Sequence, residues 1–348
     1  MDPIIIPTRG FSSKAAAALQ SDTAFTEIAK GLIGRDLCSI ADLSAEELAA
    51  ILELAHAVKE QPEDFRHALD AKQMVMFFEK ASLRTRLTFE AAMNTVGGNA
   101  IFVDQTKQPL GERESIPDVA RNLERWMNII VLRTFAHETV TEMAANSSVP
   151  VINALSDLEH PCQAIADFMT LEERFGALAG LKFTYVGDGN NVCHSLMLAA
   201  ALLGVHMTVA TPKGFEPNLD VIHKAIELAE QTGGTITLTH DPVKAATDAD
   251  AIYTDVCTSM GQEHEATKRT PIFAPFQVNE SLMSNARESA VFMHCLPAHR
   301  GQEVTDAVLD SNQSVVFDQA ENRMHAQKAI ALMLLGGAKR LPKNKVRR

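Results

Sequence analysis

The 348-residue sequence predicts an α/β protein made of two domains, each with a parallel sheet. Short apolar runs typical of buried strands alternate with helical patterns along almost the whole chain. The chain is also long enough for two domains, at a prior of roughly 150 residues each. Two β-α-β series in tandem satisfy both observations.

In the first half of the chain, four apolar runs predict strands at residues 74–78, 100–103, 128–132 and 150–153. Helical patterns predict helices at residues 44–59, 83–96, 117–125 and 137–145. This alternation favours a parallel sheet in the first domain.

The second half repeats the alternation. Strands are predicted at residues 181–186, 206–210, 235–239, 251–253 and 290–293, and helices at 192–203, 219–231 and 243–247. An amphipathic stretch at 162–175 predicts a linking helix, and a last helix is expected at 320–335. We therefore expect a loosely held extension at 1–30, a first domain at 31–165 with the C-terminal helix 320–340, and a second domain at 166–319.

Composition excludes several classes of protein. The content of 46% hydrophobic and 22% charged residues is ordinary for a globular protein with a real core. A formal charge of −12 argues against a nucleic-acid binder. The chain has no apolar run of the ~20 residues that a membrane-spanning helix needs. Its five cysteines form no C-x-x-C pair, which favours a reducing, cytoplasmic compartment over a disulfide framework.

The segment F-E-K-A-S-L-R-T-R at residues 78–86 lies between a predicted strand and a predicted helix. The first turn of a helix offers free backbone N–H groups and the positive end of the helix dipole. With the hydroxyls of Ser82 and Thr85 and the guanidinium of Arg84, this segment would form a cradle for phosphate. The alternative is a helix capped by Ser82 and followed by solvated arginines.

Two further segments follow predicted strands or begin predicted helices. His160 and Gln163 would point the same way at the start of the linking helix, unless His160 is a surface histidine before Pro161. Zinc is not expected at His160 with Cys162, because no second pair lies at ligand spacing. The G-D-G-N-N segment at 187–191 lies where open α/β sheets bind ligands. It does not match a dinucleotide or P-loop motif.

Three segments near the C-terminus also carry reactive or charged groups. Asp255, in D-V-C-T-S-M-G-Q-E, suits a cationic ligand group, or belongs to a capped loop. The thiol of Cys295, in H-C-L-P, would be either a nucleophile or a small buried hydrophobic side chain. E-N-R at 321–323 opens the last helix.

Together and in this order, these segments resemble the transcarbamoylase family. The motifs S-x-R-T-R and H-P-x-Q are typical of the whole family, and S-M-G with H-C-L-P points to members that use ornithine. The resemblance implies two Rossmann-like domains with parallel sheets, joined by interdomain helices. It also implies transfer of the carbamoyl group of carbamoyl phosphate to L-ornithine, giving citrulline and phosphate in arginine metabolism. It further implies a homotrimer with sites at subunit boundaries and no metal or organic cofactor.

The resemblance also assigns roles to individual residues. The catalytic residues would be Arg133, His160 and Cys295. Carbamoyl phosphate would be bound by Ser82, Leu83, Arg84, Thr85, Arg133, His160, Gln163, Cys295, Leu296 and Arg323. Ornithine would be bound by Asn191, Asp255, Ser259 and Met260.

The sequence departs from the family pattern at two positions. Leu83 stands where the family often has Thr, which removes one hydroxyl from the cradle. The phosphate ligand that a neighbouring subunit usually supplies aligns with Pro109, and Gln108 lies one residue early. Two other functions stay open: a transcarbamoylase with another amine acceptor, such as putrescine or a modified ornithine, and a non-catalytic sensor of small anions. The sequence does not distinguish a biosynthetic from a degradative role.

Overall fold

The computed structural model describes residues 22–257 and 266–339, which form two compact units. The N-terminal unit holds residues 22–166 and 321–339, and the C-terminal unit holds residues 167–257 and 266–320. Each unit contains one parallel sheet whose strands are connected by helices. The predicted α/β class with two parallel sheets is confirmed.

The N-terminal unit has four parallel strands in the order β2-β1-β3-β4. The strands are β1 (Gln73–Phe78), β2 (Asn99–Asp104), β3 (Ile129–Arg133) and β4 (Val151–Leu155). The helices are α1 (Asp22–Leu32), α2 (Ala45–Glu60), α3 (Leu83–Asn94), α4 (Ile116–Leu123) and α5 (His137–Asn146), with 3-10 turns at Ile40–Asp42 and Pro62–Phe65. Every residue of β3 is buried, as expected for a central strand covered on both faces.

The chain passes into the C-terminal unit within α6 (Pro161–Phe175). The second sheet has five parallel strands in the order β7-β6-β5-β8-β9. They are β5 (Lys182–Val186), β6 (His206–Ala210), β7 (Thr235–Thr239), β8 (Ala251–Thr254) and β9 (Val291–His294). The helices are α7 (Asn191–Leu202), α8 (Leu219–Thr232), α9 (Pro242–Ala246), α10 (Ala266–Phe273), α11 (Glu280–Met283) and α12 (Asp306–Leu309), with a 3-10 turn at Ala274–Phe276. The chain returns to the N-terminal unit within α13 (Val316–Leu335). The prediction that E-N-R opens this helix is wrong, because α13 begins at Val316 and residues 321–323 lie inside it.

All the predicted strands are present, and their ends lie within two residues of the predicted ends. The prediction of a loosely held segment at residues 1–30 is wrong for its last part. Residues 1–21 lie outside the described part of the chain, but α1 follows, and its Phe25 and Leu32 side chains are 1% and 0% exposed. The apolar residues of α1 recur at helical spacing, so they lie on one face of the helix, and that face is buried.

Four short elements in the C-terminal unit were not predicted: α10, α11, α12 and the 3-10 turn at Ala274–Phe276. Each spans eight residues or fewer, too short for a clear helical repeat in the sequence. None of the helices in the described residues is long and apolar enough to span a membrane.

Candidate active site

The first turn of α3 directly follows the short connection from β1. Ser82 is the N-cap of α3: its Oγ accepts a hydrogen bond from the Thr85 N–H and donates to Thr85 Oγ1 at 3.0 Å. Ser82 is therefore a helix cap. A cap satisfies only part of the first turn, so the N–H groups of Leu83 and Arg84 have no partner within the helix. The start of α3 keeps the anion-binding character that the cradle requires.

Thr85 is the point at which two buried arginines meet. Arg323 Nη2 lies 2.7 Å from Thr85 Oγ1, and Arg133 Nη1 lies 3.5 Å from the same oxygen. A threonine hydroxyl has two acceptor lone pairs, so the bonds from Ser82 and Arg323 use both, and the 3.5 Å contact of Arg133 is the weak one. Two guanidinium groups so close to one atom repel each other, and an anion bound beside Thr85 would relieve that repulsion.

The side chains of the first turn differ in exposure. The Leu83 side chain is 73% exposed, and its backbone N–H belongs to the first turn of α3. Arg84 is half-buried, whereas Thr85, Arg133 and Arg323 are buried. The structure thus brings Arg133 and Arg323 to Thr85 in the first turn of α3, the turn that also contains Leu83 and Arg84.

His160 is buried immediately before α6, so the alternative of a surface histidine is wrong. Burial holds the pKa of His160 well below its ordinary 6.5, and the positive charges of Arg323 and Arg133 lower it further. The imidazole is therefore neutral near pH 7 and can donate a hydrogen bond without adding a charge. Gln163 is also buried, and its backbone N–H donates to the His160 carbonyl at 3.1 Å.

Lys80 is a further cation of this region that sequence reasoning did not assign. Its Nζ lies 4.5 Å from the centre of the Phe135 ring, and its carbonyl accepts a hydrogen bond from Arg133 Nε at 3.2 Å. Burial lowers the pKa of Lys80, and the charge of Arg133 acts in the same direction. Its position in F-E-K, just before the segment predicted to bind phosphate, is the sequence signal that could have found it.

In the C-terminal unit, Asp255 and Cys295 directly follow the neighbouring strands β8 and β9. Because Thr254 pairs with His294, the next residue of each strand lies at the same edge of the sheet. The thiol of Cys295 donates to Asp255 Oδ1 at 3.0 Å, and Asn190 Nδ2 donates to Asp255 Oδ2 at 2.7 Å. A buried carboxylate held from both sides is suited to bind a cationic amine.

Asn190 is the residue of this group that sequence reasoning missed. Its Oδ1 accepts hydrogen bonds from the N–H groups of Val192 and Cys193, both at 3.1 Å, so it caps α7 while its amide group orients Asp255. An Asn immediately before a helical pattern is the signal that could have found it. Asn191, the predicted ligand, is half-buried in the first turn of α7.

Gly189 of G-D-G-N-N is needed for close packing of the backbone. A Cβ at Gly189 would lie 2.3 Å from the backbone nitrogen of Pro217, and the Gly189 N–H donates to the Phe215 carbonyl at 2.9 Å. Asp188 of the same segment forms a buried ion pair with Arg269 of α10, whose guanidinium lies 4.8 Å from the Phe215 ring centre. The motif therefore fixes the loop that carries Asn190.

The surroundings of Cys295 favour the thiol over the thiolate. Burial raises the pKa of Cys295 well above 9.0, and the nearby charge of Asp255 raises it further. The carboxylate that accepts the thiol proton also makes the anionic sulfur unfavourable. Cys295 is therefore suited to orient Asp255 or an amine, and poorly suited to act as a nucleophile.

Among the described residues, Asp255, His294 and Cys295 form a group whose possible metal-ligand atoms lie within 4.8 Å of one another. Both nitrogens of His294 are already used: Nδ1 accepts from the Leu296 N–H at 2.9 Å, and Nε2 contacts Glu303 Oε1 at 3.3 Å. A metal ion would have to displace one of these bonds. The donor set is better explained as an internal hydrogen-bond network.

Three predicted site residues remain: Leu296, Ser259 and Met260. Leu296 packs its side chain against the hydrophobic core of the C-terminal unit, so any ligand contact would come from its backbone. Ser259 and Met260 lie outside the described residues.

Two protein-family models together match most of the chain. The carbamoyl-phosphate-binding domain of aspartate/ornithine carbamoyltransferase matches residues 35–173, and the aspartate/ornithine-binding domain matches residues 179–334. The chain belongs to the aspartate/ornithine carbamoyltransferase family. This membership agrees with the resemblance inferred from the six sequence segments.

Individual members of the carbamoyltransferase family are similar over nearly their whole length. An ornithine carbamoyltransferase of Pyrococcus horikoshii is 52% identical over 310 residues, which cover 88% of this chain and 98% of the relative. A relative from Pyrococcus furiosus named as an anabolic ornithine carbamoyltransferase is 51% identical over the same shares of the two chains. The solved structure of ornithine carbamoyltransferase from Pyrococcus furiosus superposes with a TM-score of 0.86 at 51% identity, covering 88% of this chain and 99% of that one.

Proposed function

We propose that the protein transfers the carbamoyl group of carbamoyl phosphate to the δ-amino group of L-ornithine, giving L-citrulline and phosphate. The observation that carries the proposal is the convergence of Arg133 and Arg323 on Thr85 at the start of α3. This arrangement supplies charge, hydroxyl and helix-start N–H groups for a phosphate group. The similarity to proteins named ornithine carbamoyltransferase supports the same reaction.

In the proposed reaction, the free δ-amine attacks the carbamoyl carbon. A C–N bond forms, the bond from carbon to the phosphate oxygen breaks, and the phosphate leaves with the electron pair and takes a proton from the amine. Negative charge develops on the carbamoyl oxygen during the attack, and Arg133 and neutral His160 are the donors assigned to it. Prearranged donors of this kind are usually the largest single contribution to catalysis.

The identity of the acceptor rests on charge. Asp255 is buried, and both of its carboxylate oxygens accept hydrogen bonds, which fixes the carboxylate at the edge of the second sheet. A carboxylate there attracts an amine and repels the side-chain carboxylate of aspartate. We therefore assign Asp255, with Asn191 and the segment that carries Ser259 and Met260, to ornithine rather than aspartate.

A citrulline assay with carbamoyl phosphate and a panel of amines tests the proposal. We expect product with L-ornithine, and little or none with putrescine, aspartate or an Nα-blocked ornithine. Turnover of putrescine in preference to ornithine would support the alternative acceptor. Binding of carbamoyl phosphate without turnover of any amine would support a small-anion sensor.

We also propose a homotrimer whose sites lie at subunit boundaries, in the cytoplasm. Leu83 and Leu87 lie one turn apart on α3 and are 73% and 52% exposed, which supports an apolar surface for another subunit. Gln108 is exposed on the loop after β2, as a ligand offered to a neighbouring subunit should be. Sedimentation that gave a fully active monomer would contradict the trimer.

All five cysteines are free thiols, which supports a reducing compartment.

A further inference from the structure

Glu79 is a buried carboxylate at the end of β1, and it is not one of the residues assigned to either substrate. Its Oε1 accepts a hydrogen bond from the Leu110 N–H at 3.1 Å, and its Oε2 accepts one from the Phe135 N–H at 2.9 Å. Its own backbone N–H donates to the Arg133 carbonyl at 2.8 Å. The residue thus binds three segments of backbone at once.

The two N–H groups belong to loops that follow the strands on either side of β1. Leu110 lies in the middle of the loop 105–115, which follows β2, and Phe135 lies between β3 and α5. Because β1 lies between β2 and β3, a single side chain after β1 reaches both loops. Loop 105–115 is otherwise largely exposed, and Gln108 lies two residues before Leu110.

The charge of Glu79 makes a direct role in phosphate binding unfavourable. The residue lies three positions before Ser82 and binds the backbone of Arg133, so its carboxylate adds negative charge close to a site for an anion. Burying a carboxylate is also costly unless both oxygens are satisfied. The two N–H groups satisfy both oxygens, which is what a group that ties loops together requires.

We propose that Glu79 is a positioning residue that fixes loop 105–115 against the sheet and thereby sets the place of Gln108. Resting on the proposed function, this makes Glu79 a determinant of carbamoyl phosphate binding that acts through the loop. It touches neither substrate. Its loss should weaken binding of carbamoyl phosphate and leave the chemical step almost unchanged.

The first test is Glu79→Gln, which keeps the shape of the side chain. The amide oxygen can accept from one loop, but the amide NH₂ then faces the N–H of the other loop. We expect the KM for carbamoyl phosphate to rise roughly tenfold or more, as for loss of one hydrogen bond to a charged group, and kcat to change less than about threefold. The control Glu112→Gln makes the same change at an exposed position of the same loop and should change neither constant. A fall in kcat at unchanged KM would overturn the proposal.

The second test measures whether Glu79 acts through Gln108. Gln108→Ala is made in the unmodified chain and in Glu79→Gln, and the KM for carbamoyl phosphate is measured in all four proteins. The proposal assigns phosphate binding to Gln108 only while loop 105–115 is held in place, so removing Gln108 in the Glu79→Gln background should raise KM less than about twofold. Multiplicative effects of the two changes would overturn the proposal.

Two readouts do not depend on activity. In Glu79→Gln, trypsin should cut loop 105–115 at Lys107 or Arg113 faster than in the Glu112→Gln control. In the unmodified protein, hydrogen exchange at the Leu110 and Phe135 amides should be slow, and this result decides the case if Glu79→Gln fails to fold. Fast exchange at Leu110 would contradict its hydrogen bond to Glu79 and overturn the proposal. Slow exchange in a protein that makes no citrulline would reject the proposed function but not the role of Glu79 in holding loop 105–115.

Discussion

Arg323 donates a hydrogen bond of 2.7 Å to the hydroxyl of Thr85, although 238 positions separate the two residues in the sequence. The bond connects the helix that returns from the C-terminal unit with the first turn of α3. It places a buried positive charge where phosphate is proposed to bind. Arg133 Nη1 lies 3.5 Å from the same hydroxyl, so Thr85 lies beside both buried guanidinium groups.

Thr85→Val should raise the KM for carbamoyl phosphate by roughly 10- to 100-fold. The change keeps the shape of the side chain and removes the acceptor shared by two guanidinium groups, which we estimate at about 1.5–3 kcal/mol. Steady-state kinetics with saturating ornithine measures the effect. Thr95→Val, at the exposed far end of α3, is the control and should leave KM unchanged. Equal KM values for the two variants would contradict the assigned role of Thr85.

Arg84→Ala should also raise the KM for carbamoyl phosphate steeply. The change removes a charge-assisted, two-pronged contact with phosphate, worth on the order of 2–4 kcal/mol in a dry site. Arg86→Ala is the matched control, because Arg86 is exposed and pairs with Glu90 at 2.9 Å on the same helix. An unchanged KM in Arg84→Ala would remove Arg84 from the site.

Leu83→Thr should tighten carbamoyl phosphate binding by less than about fivefold. A hydroxyl at this position adds at most one hydrogen bond, typically about 1 kcal/mol, and the backbone N–H groups of the helix start are present with either side chain. A gain of tenfold or more would mean that the cradle is incomplete and that its donor is another molecule.

Activity should rise with pH between about 6 and 8. A lysine-like δ-amine has a pKa near 10.4, so only about one molecule in a thousand is the free base near neutrality. The logarithm of kcat/KM for ornithine should climb with a slope near one across this range. A flat profile would show that attack by the free amine is not the limiting chemistry.

Stability should fall as pH decreases below about 7. The pKa of His160 is held well below its ordinary 6.5 by burial and by Arg323 and Arg133, so the unfolded chain binds a proton near pH 6.5 that the folded chain does not. This group lowers the free energy of unfolding by at most about 1.4 kcal/mol per pH unit below that point. Denaturant titrations at several pH values should show that the free energy of unfolding depends less steeply on pH in His160→Asn than in the unmodified protein. Identical slopes for His160→Asn and the unmodified protein would contradict a neutral His160.

Local patterns in the sequence determined the fold class, the positions of the strands and the starts of helices such as α3, α5 and α8. Buried parallel strands read as apolar runs, and Ser82 caps α3 through a contact three residues away. Most chemical groups of the site were also recognisable, because they follow a strand or open a helix; Arg323, inside α13, is an exception. These features depend on neighbours in the sequence, so the sequence alone was sufficient to predict them.

Tertiary structure decided which of these groups meet. The order of strands places β8 beside β9, and this pairing brings Asp255 to the thiol of Cys295. The position of β1 between β2 and β3 allows Glu79 to bind two loops, and the path of α13 brings Arg323 to Thr85. His160 is neutral because burial lowers its pKa, and burial depends on how distant segments pack around it. Contacts between distant segments arise from strand order and helix packing, and these leave no local signal in the sequence.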